Sequence, residues 1–198
     1  QLDPSMISMH YQFILNPAKR AEEDGVISIG TAQLMVPTEP TPARAYAMPK
    51  AHKEIPEGKT LPPVRLVISG CGSNTEMASH FVDYYSKDIP SKLPSYIQDT
   101  PHLLRMLEGL NASGAQPEEA FPVTIDVVGL YPNIPTDEGI EAFTEYIKDP
   151  LYRDQSTMSW EFLITLLKYA LTYNSFIFNG EYYIQDFGSA IGSKCSPG

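Results

Sequence analysis

The stretch Phe121-Pro122-Val123-Thr124-Ile125-Asp126-Val127-Val128-Gly129-Leu130-Tyr131-Pro132-Asn133-Ile134-Pro135 carries one carboxylate within an apolar run. An almost continuous apolar run predicts a strand over 121–128 that is buried on both faces. A buried carboxylate is costly unless something compensates it, and Mg²⁺ held by oxygen ligands is the usual compensation. Asp126 is therefore a candidate metal ligand. The alternative is that Asp126 stands at the strand end and caps the turn at Gly129.

Tyr131 follows five residues after this carboxylate. A turn at Gly129 could bring the Tyr131 ring near whatever Asp126 binds. The alternative is that Tyr131 is an ordinary aromatic residue of the core.

The rest of the chain predicts a mixture of helices and strands. The β-branched run Val64–Ser69 predicts a strand, and Asn179-Gly180 between two apolar runs predicts a β-hairpin. Capping residues followed by apolar residues at helical spacing predict helices beginning near residues 73, 100, 136 and 159. The predicted fold class is α+β, with a mixed or antiparallel sheet and helices packed on one side.

The prolines are distributed unevenly, since nine of the 18 fall within the first 63 residues. Residues 1–45 are interpreted as an N-terminal arm or linker of uncertain order. A first region then covers 46–120 and a second covers 121–198.

Charge and composition exclude several classes of protein. The net charge is −10, which argues against a protein that coats nucleic acid by bulk charge. Residues 1–70 carry seven basic and seven acidic residues, whereas the rest of the chain carries the whole net negative charge, so a phosphate-bearing ligand, if one binds, is expected in that first third. Two cysteines far apart in sequence argue against a disulfide scaffold and a cysteine-based zinc site. The absence of a signal peptide and of a long apolar segment predicts an intracellular protein that does not span a membrane.

A basic cluster lies in that first third: Lys50, His52, Lys53, Lys59 and Arg65. An arginine on a rigid strand can hold phosphate oxygens through two hydrogen bonds, which makes Arg65 a candidate anion ligand. The alternatives are a structural ion pair for Arg65 and a solvated loop for the lysines.

The segment Gly188–Gly198 is rich in glycine. Glycines let backbone approach a ligand closely, and successive N–H groups can bind an anion or a base. The alternative is a flexible tail.

These features occur in an order that resembles the reverse transcriptases of Penelope-like retroelements, over about residues 46–198. Residues 46–53 with 63–69 resemble the fingers motif, and 95–100 resemble the segment that follows it. Residues 126–135 resemble motif A, and 188–197 resemble motif B. The resemblance implies that residues 46–120 are the fingers and residues 121–198 an incomplete palm of a right-hand polymerase.

The resemblance also implies roles for individual residues. Asp126 would be the catalytic Mg²⁺ ligand that also holds the incoming triphosphate. The ring of Tyr131 would lie where a ribose 2′-hydroxyl would clash, and so would select the sugar. Arg65, with Lys53 as a weaker candidate, would contact the triphosphate. Gly129 and Leu130 would offer backbone amides to phosphate. Ile191 and Gly192 would lie against the nascent base pair and the template.

The sequence departs from this family in one respect. Motif C, an aromatic residue followed by paired aspartates, would lie beyond motif B and is not found in the chain. Phosphoryl transfer by two metal ions needs carboxylates on both sides of the metal pair. We therefore expect the chain to be a fragment of an RNA-directed DNA polymerase that cannot polymerise by itself.

The partners of the parent enzyme would be an RNA or DNA template-primer and deoxynucleotides. The alternative function is a non-catalytic module derived from a retroelement, which binds protein or nucleic acid. Unpaired sheet edges invite another chain, so a homo-oligomer or a covering protein is also expected.

Overall fold

The computed structural model describes residues 1–114, 121, 123–153 and 157–196, with the side chains of 151 and 153 excepted. Pro122, Pro197 and Gly198, which belong to two of the stretches named above, lie outside the described residues. The elements follow in chain order: α1 (Ser5–Glu23), α2 (Ile29–Met35), β1 (Ala43–Pro49), β2 (Val64–Ser69), α3 (Glu76–Ser86), α4 (Thr100–Ala112), α5 (Leu130–Asn133), α6 (Thr136–Lys148), α7 (Pro150–Arg153), α8 (Trp160–Thr172), β3 (Ser175–Phe178) and β4 (Glu181–Ile184).

The described strands form one mixed sheet in the order β2-β1-β3-β4. β1 pairs antiparallel with β2, in a register that sets Met48 opposite Arg65. β1 runs parallel to β3, and β3 pairs antiparallel with β4. The turn between β3 and β4 has positive φ at Asn179 and Gly180, as the Asn-Gly pair predicts. The α+β class is therefore confirmed.

The main core lies among the helices. Ile14 of α1, Val82 of α3 and Leu166 of α8 are almost completely buried in one cluster, and Ile140 of α6 joins them. Of these, Ile140 and Leu166 lie on the apolar stripes that helical spacing predicts for α6 and α8. α8 contacts α1, α3 and α6, so it is the central helix of this layer.

Residues 5–35 are part of this core, although the sequence analysis predicts no structure for them. The buried residues of α1 recur every three or four positions, at Ile7, His10, Ile14, Ala18 and Ala21. The Asp3 carboxylate accepts hydrogen bonds from the amide and the hydroxyl of Ser5, at 2.8 and 2.6 Å, and so satisfies a free donor where the helix begins.

One helix begins at another residue than the sequence predicts, and a second begins at Thr100 as predicted but is capped by the residue before it. α3 begins at Glu76 instead of near Ser73, because the Ser73 amide closes a turn on the Gly70 carbonyl. The Glu76 carboxylate accepts a hydrogen bond from the Gly72 amide at 2.7 Å. In α4 the cap is the side chain of Asp99, which accepts from the His102 amide at 2.7 Å.

α4 buries none of its residues. Its apolar side chains, which include Leu104 and Leu107, stay roughly half exposed. No helix in the described ranges is long and apolar enough to cross a membrane.

Candidate functional site

The turn at Gly129–Asn133 begins the candidate site. Gly129 has φ of +63°, a left-handed conformation that side chains with a Cβ rarely adopt, and α5 follows directly. The Asn133 side chain donates a hydrogen bond to the Gly129 carbonyl at 2.9 Å. The glycine and this side chain together fix the backbone that carries the half-buried Tyr131.

The glycine-rich segment packs directly onto this turn. The Ser189 amide donates a hydrogen bond to the Tyr131 carbonyl at 2.8 Å. Gly188 is so close that a Cβ there would lie 2.6 Å from the carbonyl oxygens of Tyr131 and Pro132. Residues 188–192 therefore lie against other segments of the fold and do not project from it as a tail.

The same segment also reaches the sheet. The Ile68 amide of β2 donates a hydrogen bond to the Ile191 carbonyl at 3.0 Å, so the segment lies along the outer edge of β2. A Cβ on Gly192 would lie 2.5 Å from the Ile68 carbonyl oxygen. Gly192 therefore has a structural reason to be glycine, namely this close backbone approach.

Three of the stretches identified in the sequence thus meet at one place. Gly188–Gly192 contacts the Tyr131 turn on one side and β2 on the other. A small buried cluster of Ala43, Ile68 and Ala190 lies at this junction. Sequence analysis did not single out Ser189 or the Ile68 amide, because both act through backbone groups. The only sequence signal for them was the neighbouring glycines.

Asp126 is not in a buried strand, and that prediction is wrong. Residues 123–127 have no regular secondary structure, and Asp126 is exposed. The flanking apolar residues are exposed as well, with Ile125 at 90% and Val128 at 89%.

The sheet gives a physical reason for this difference. A strand forms only where its backbone groups pair with a neighbour. At the outer edge of β2, the Ile68 amide already donates a hydrogen bond to the Ile191 carbonyl. At β4, the Tyr182 carbonyl accepts a hydrogen bond from the Leu2 amide at 2.8 Å. Both edges of the described sheet are therefore partly occupied by other segments.

Asp126 does not cap the turn either. Among the described residues no hydrogen bond to its carboxylate is found, whereas Asn133 donates to the Gly129 carbonyl. The described residues contain no group of three or more His, Cys, Asp or Glu side chains that could hold a metal ion. A single exposed carboxylate is not a metal site of its own, because Mg²⁺ takes six oxygen ligands and is usually held by one or two carboxylates together with substrate phosphates and water.

Arg65 lies on β2, three residues before Ile68, and the lysines lie in the loop that precedes this strand. Arg65 is exposed on β2, and no contact with an acidic side chain is found within the described residues. The structural ion pair considered for Arg65 is therefore not seen there. Lys53 lies in the loop between β1 and β2, where it lines a shallow depression with Lys50, His52 and Glu54.

The remaining predicted contacts are open to solvent to different degrees. Gly129, Leu130 and Gly192 are exposed, and Ile191 is half-buried. The site is therefore an accessible surface formed by a turn, a strand edge and a glycine-rich segment. Comparisons with protein-family models, with curated proteins and with solved structures found no match.

Proposed function

We propose that this chain is part of an RNA-directed DNA polymerase, in which it binds the template-primer and the incoming deoxynucleotide together with Mg²⁺. The observation that carries the proposal is the meeting of three motif-like stretches. The Ser189–Tyr131 and Ile68–Ile191 backbone hydrogen bonds join residues that are far apart in sequence. Three of the four motif-like stretches thus meet in the folded chain, which supports the proposal.

Arg65 would bind the triphosphate. An exposed guanidinium on a strand can present two parallel N–H donors to phosphate oxygens, with little loss of side-chain entropy. Lys53 would add positive charge from the neighbouring loop. The Tyr131 ring would pack against the deoxyribose and exclude a 2′-hydroxyl, and Ile191 with Gly192 would contact the template base pair.

The number of metal-binding carboxylates limits what the chain would catalyse by itself. Two-metal phosphoryl transfer needs carboxylates that hold both ions. Asp126 is the one carboxylate that the motifs assign here, and it would hold Mg²⁺ jointly with the triphosphate. The chain would thus supply binding groups, and the catalytic centre would need further carboxylates.

Titration of a fluorescent deoxynucleoside triphosphate tests this proposal. With Mg²⁺ present we expect saturable binding, which Arg65→Gln and Asp126→Asn each weaken about tenfold. Arg105→Gln and Asp137→Asn are the matched controls, since both residues are exposed and lie outside the site. Equal binding by all five proteins would contradict the proposed roles of Arg65 and Asp126.

Primer extension with Mg²⁺ tests the limit on catalysis. We expect no extension of a primer on an RNA template by residues 1–198. Measurable extension that Asp126→Asn abolishes would show that this chain has a complete catalytic centre, contrary to our expectation.

A second candidate function is a non-catalytic module that binds another protein chain. The observation in its favour is the large amount of exposed apolar surface on α4 and around Ile125 and Val128. Patches of this kind on a folded protein mark interaction sites. A protein that associates through α4 but binds no nucleotide would favour this second function over the first.

A further inference from the structure

A cavity of about 310 Å³ lies between α3, α6 and α8, and the segment 188–196 closes one side of it. Its walls are mainly apolar side chains, among them Val82, Ile89, Phe143, Leu167 and Leu171. The thiol of Cys195 is part of the wall formed by the closing segment.

The cavity offers no charged group to a ligand. Its described lining residues include no Asp, Glu, Lys, Arg or His. Burial raises the pKa of the Cys195 thiol, so the thiol remains protonated at neutral pH. A charged ligand would lose its hydration here without gaining a partner.

The serine hydroxyl groups of the wall already have hydrogen-bond partners. Ser86 donates to the Val82 carbonyl at 2.7 Å, and Ser196 donates to the Ala190 carbonyl at 2.9 Å. The Ser189 and Ser196 hydroxyl oxygens are also 2.5 Å apart. Apolar cavities bind water poorly, because a water molecule needs several polar partners. The space therefore favours an apolar occupant over water.

The volume sets the size of that occupant. An engineered apolar cavity of about 150 Å³ binds benzene, and natural ligand pockets begin at about 300 Å³. A cavity of 310 Å³ is therefore large enough for two fused rings. Two aromatic side chains, Phe143 and Tyr146, are available in the wall to pack against such rings.

We propose that this cavity is a binding site for an uncharged, bicyclic aromatic small molecule. The ligand would be held by contacts with the apolar walls between α3, α6 and α8. It would also contact the segment that carries Ile191 and Gly192. The proposal rests on the cavity alone and does not depend on the polymerase function.

The test uses prodan, an uncharged naphthalene dye whose fluorescence rises and shifts to the blue in apolar surroundings. Cys71→Ser leaves Cys195 as the only thiol, since the chain has two cysteines. In this background we expect saturable prodan binding, and bound prodan should slow the reaction of Cys195 with a thiol reagent about tenfold.

Ala142→Trp and Glu141→Trp form the matched pair of variants. Ala142 is exposed and lines the cavity, so a tryptophan there should fill the space and weaken prodan binding at least about tenfold. Glu141 is an exposed neighbour on the same helix that does not line it, and its variant should bind as the parent does. Gly139→Leu is a second filling variant, because a Cβ there has ordinary contacts only.

The competing outcome is that prodan binds to the exposed apolar face of α4 instead of the cavity. In that case Leu104→Ser would abolish binding, Ala142→Trp and Gly139→Leu would not, and Cys195 would react at the same rate with and without dye. Absence of saturable binding to the parent protein would overturn the proposal equally.

Discussion

The backbone amide of Ser189 donates a hydrogen bond to the carbonyl oxygen of Tyr131 at 2.8 Å. This contact joins the glycine-rich segment to the turn that follows Asp126, and Gly188 makes it possible. With φ of +75°, Gly188 brings its Cα so close to the turn that no side chain fits between them. The junction therefore depends on a glycine both for its conformation and for its small size.

Gly188→Ala should destabilise the protein by about 3 kcal/mol, because the added Cβ meets two backbone carbonyl oxygens in a left-handed conformation. Gly180→Ala is the matched control. Gly180 has a similar φ, +82°, but nothing lies within 4 Å of an added Cβ, so the loss should be about 1 kcal/mol. Urea unfolding measures both values. Equal losses would mean that the close approach to the Tyr131 turn does not contribute.

Tyr169→Phe should raise the free energy of unfolding by about 1 kcal/mol. The Tyr169 hydroxyl is buried, and within the described part of the chain it has no hydrogen-bond partner. Removing it relieves a desolvation cost while the ring contacts remain. Tyr11→Phe is the control, since the Tyr11 hydroxyl donates to the Pro37 carbonyl at 2.7 Å and its loss should cost about 1 kcal/mol. Chemical denaturation that gives both variants the same sign would refute this account.

His10 should make the protein less stable below neutral pH. The ring is 3% exposed, Nδ1 lies 3.1 Å from the Ser175 hydroxyl oxygen, and burial lowers the pKa of His10 below its ordinary value of 6.5. As the pH falls through 6.5, the unfolded chain takes up a proton that the folded chain does not, so the free energy of unfolding decreases. Denaturation curves at pH 7.5 and 5.5 measure this decrease.

His10→Gln should lose that part of the pH dependence, because glutamine has no charged form. His52→Gln is the control, since His52 is exposed in the loop between β1 and β2. The His52 variant should keep the full difference between the two pH values. If His10→Gln also keeps it, another group is responsible.

The double variant Leu104→Ser and Leu107→Ser should reduce self-association without a loss of stability. Both leucines are roughly half exposed on α4, so the free energy of unfolding should change by no more than about 0.5 kcal/mol. An exposed apolar helix face favours contact with another chain. Sedimentation velocity over a range of concentrations measures the association. Leu61→Ser, at an exposed loop leucine, should leave it unchanged. A parent protein that is monomeric throughout would exclude α4 as an interface between copies.

The sequence alone predicted the elements whose signals are local. β2, α6, α8 and the Asn179-Gly180 hairpin lie where their residues indicate. A turn dipeptide, a capping serine and a helical apolar stripe act over a few residues, so they can be identified without knowledge of distant contacts. The buried residues of α1 also follow helical spacing. The proline-rich composition of this part of the chain predicted an arm of uncertain order instead.

Tertiary contacts determined that residues 123–127 form no strand. They also determined which residues make up the candidate site. An apolar run predicts a buried strand only if a neighbouring strand has a free edge, and here the edges of β2 and β4 contact Ile191 and Leu2 instead. In the same way, no local signal could show that Ser189 meets Tyr131 or that Gly192 meets Ile68. These contacts depend on how distant backbone segments pair, and such pairing is a property of the folded chain as a whole.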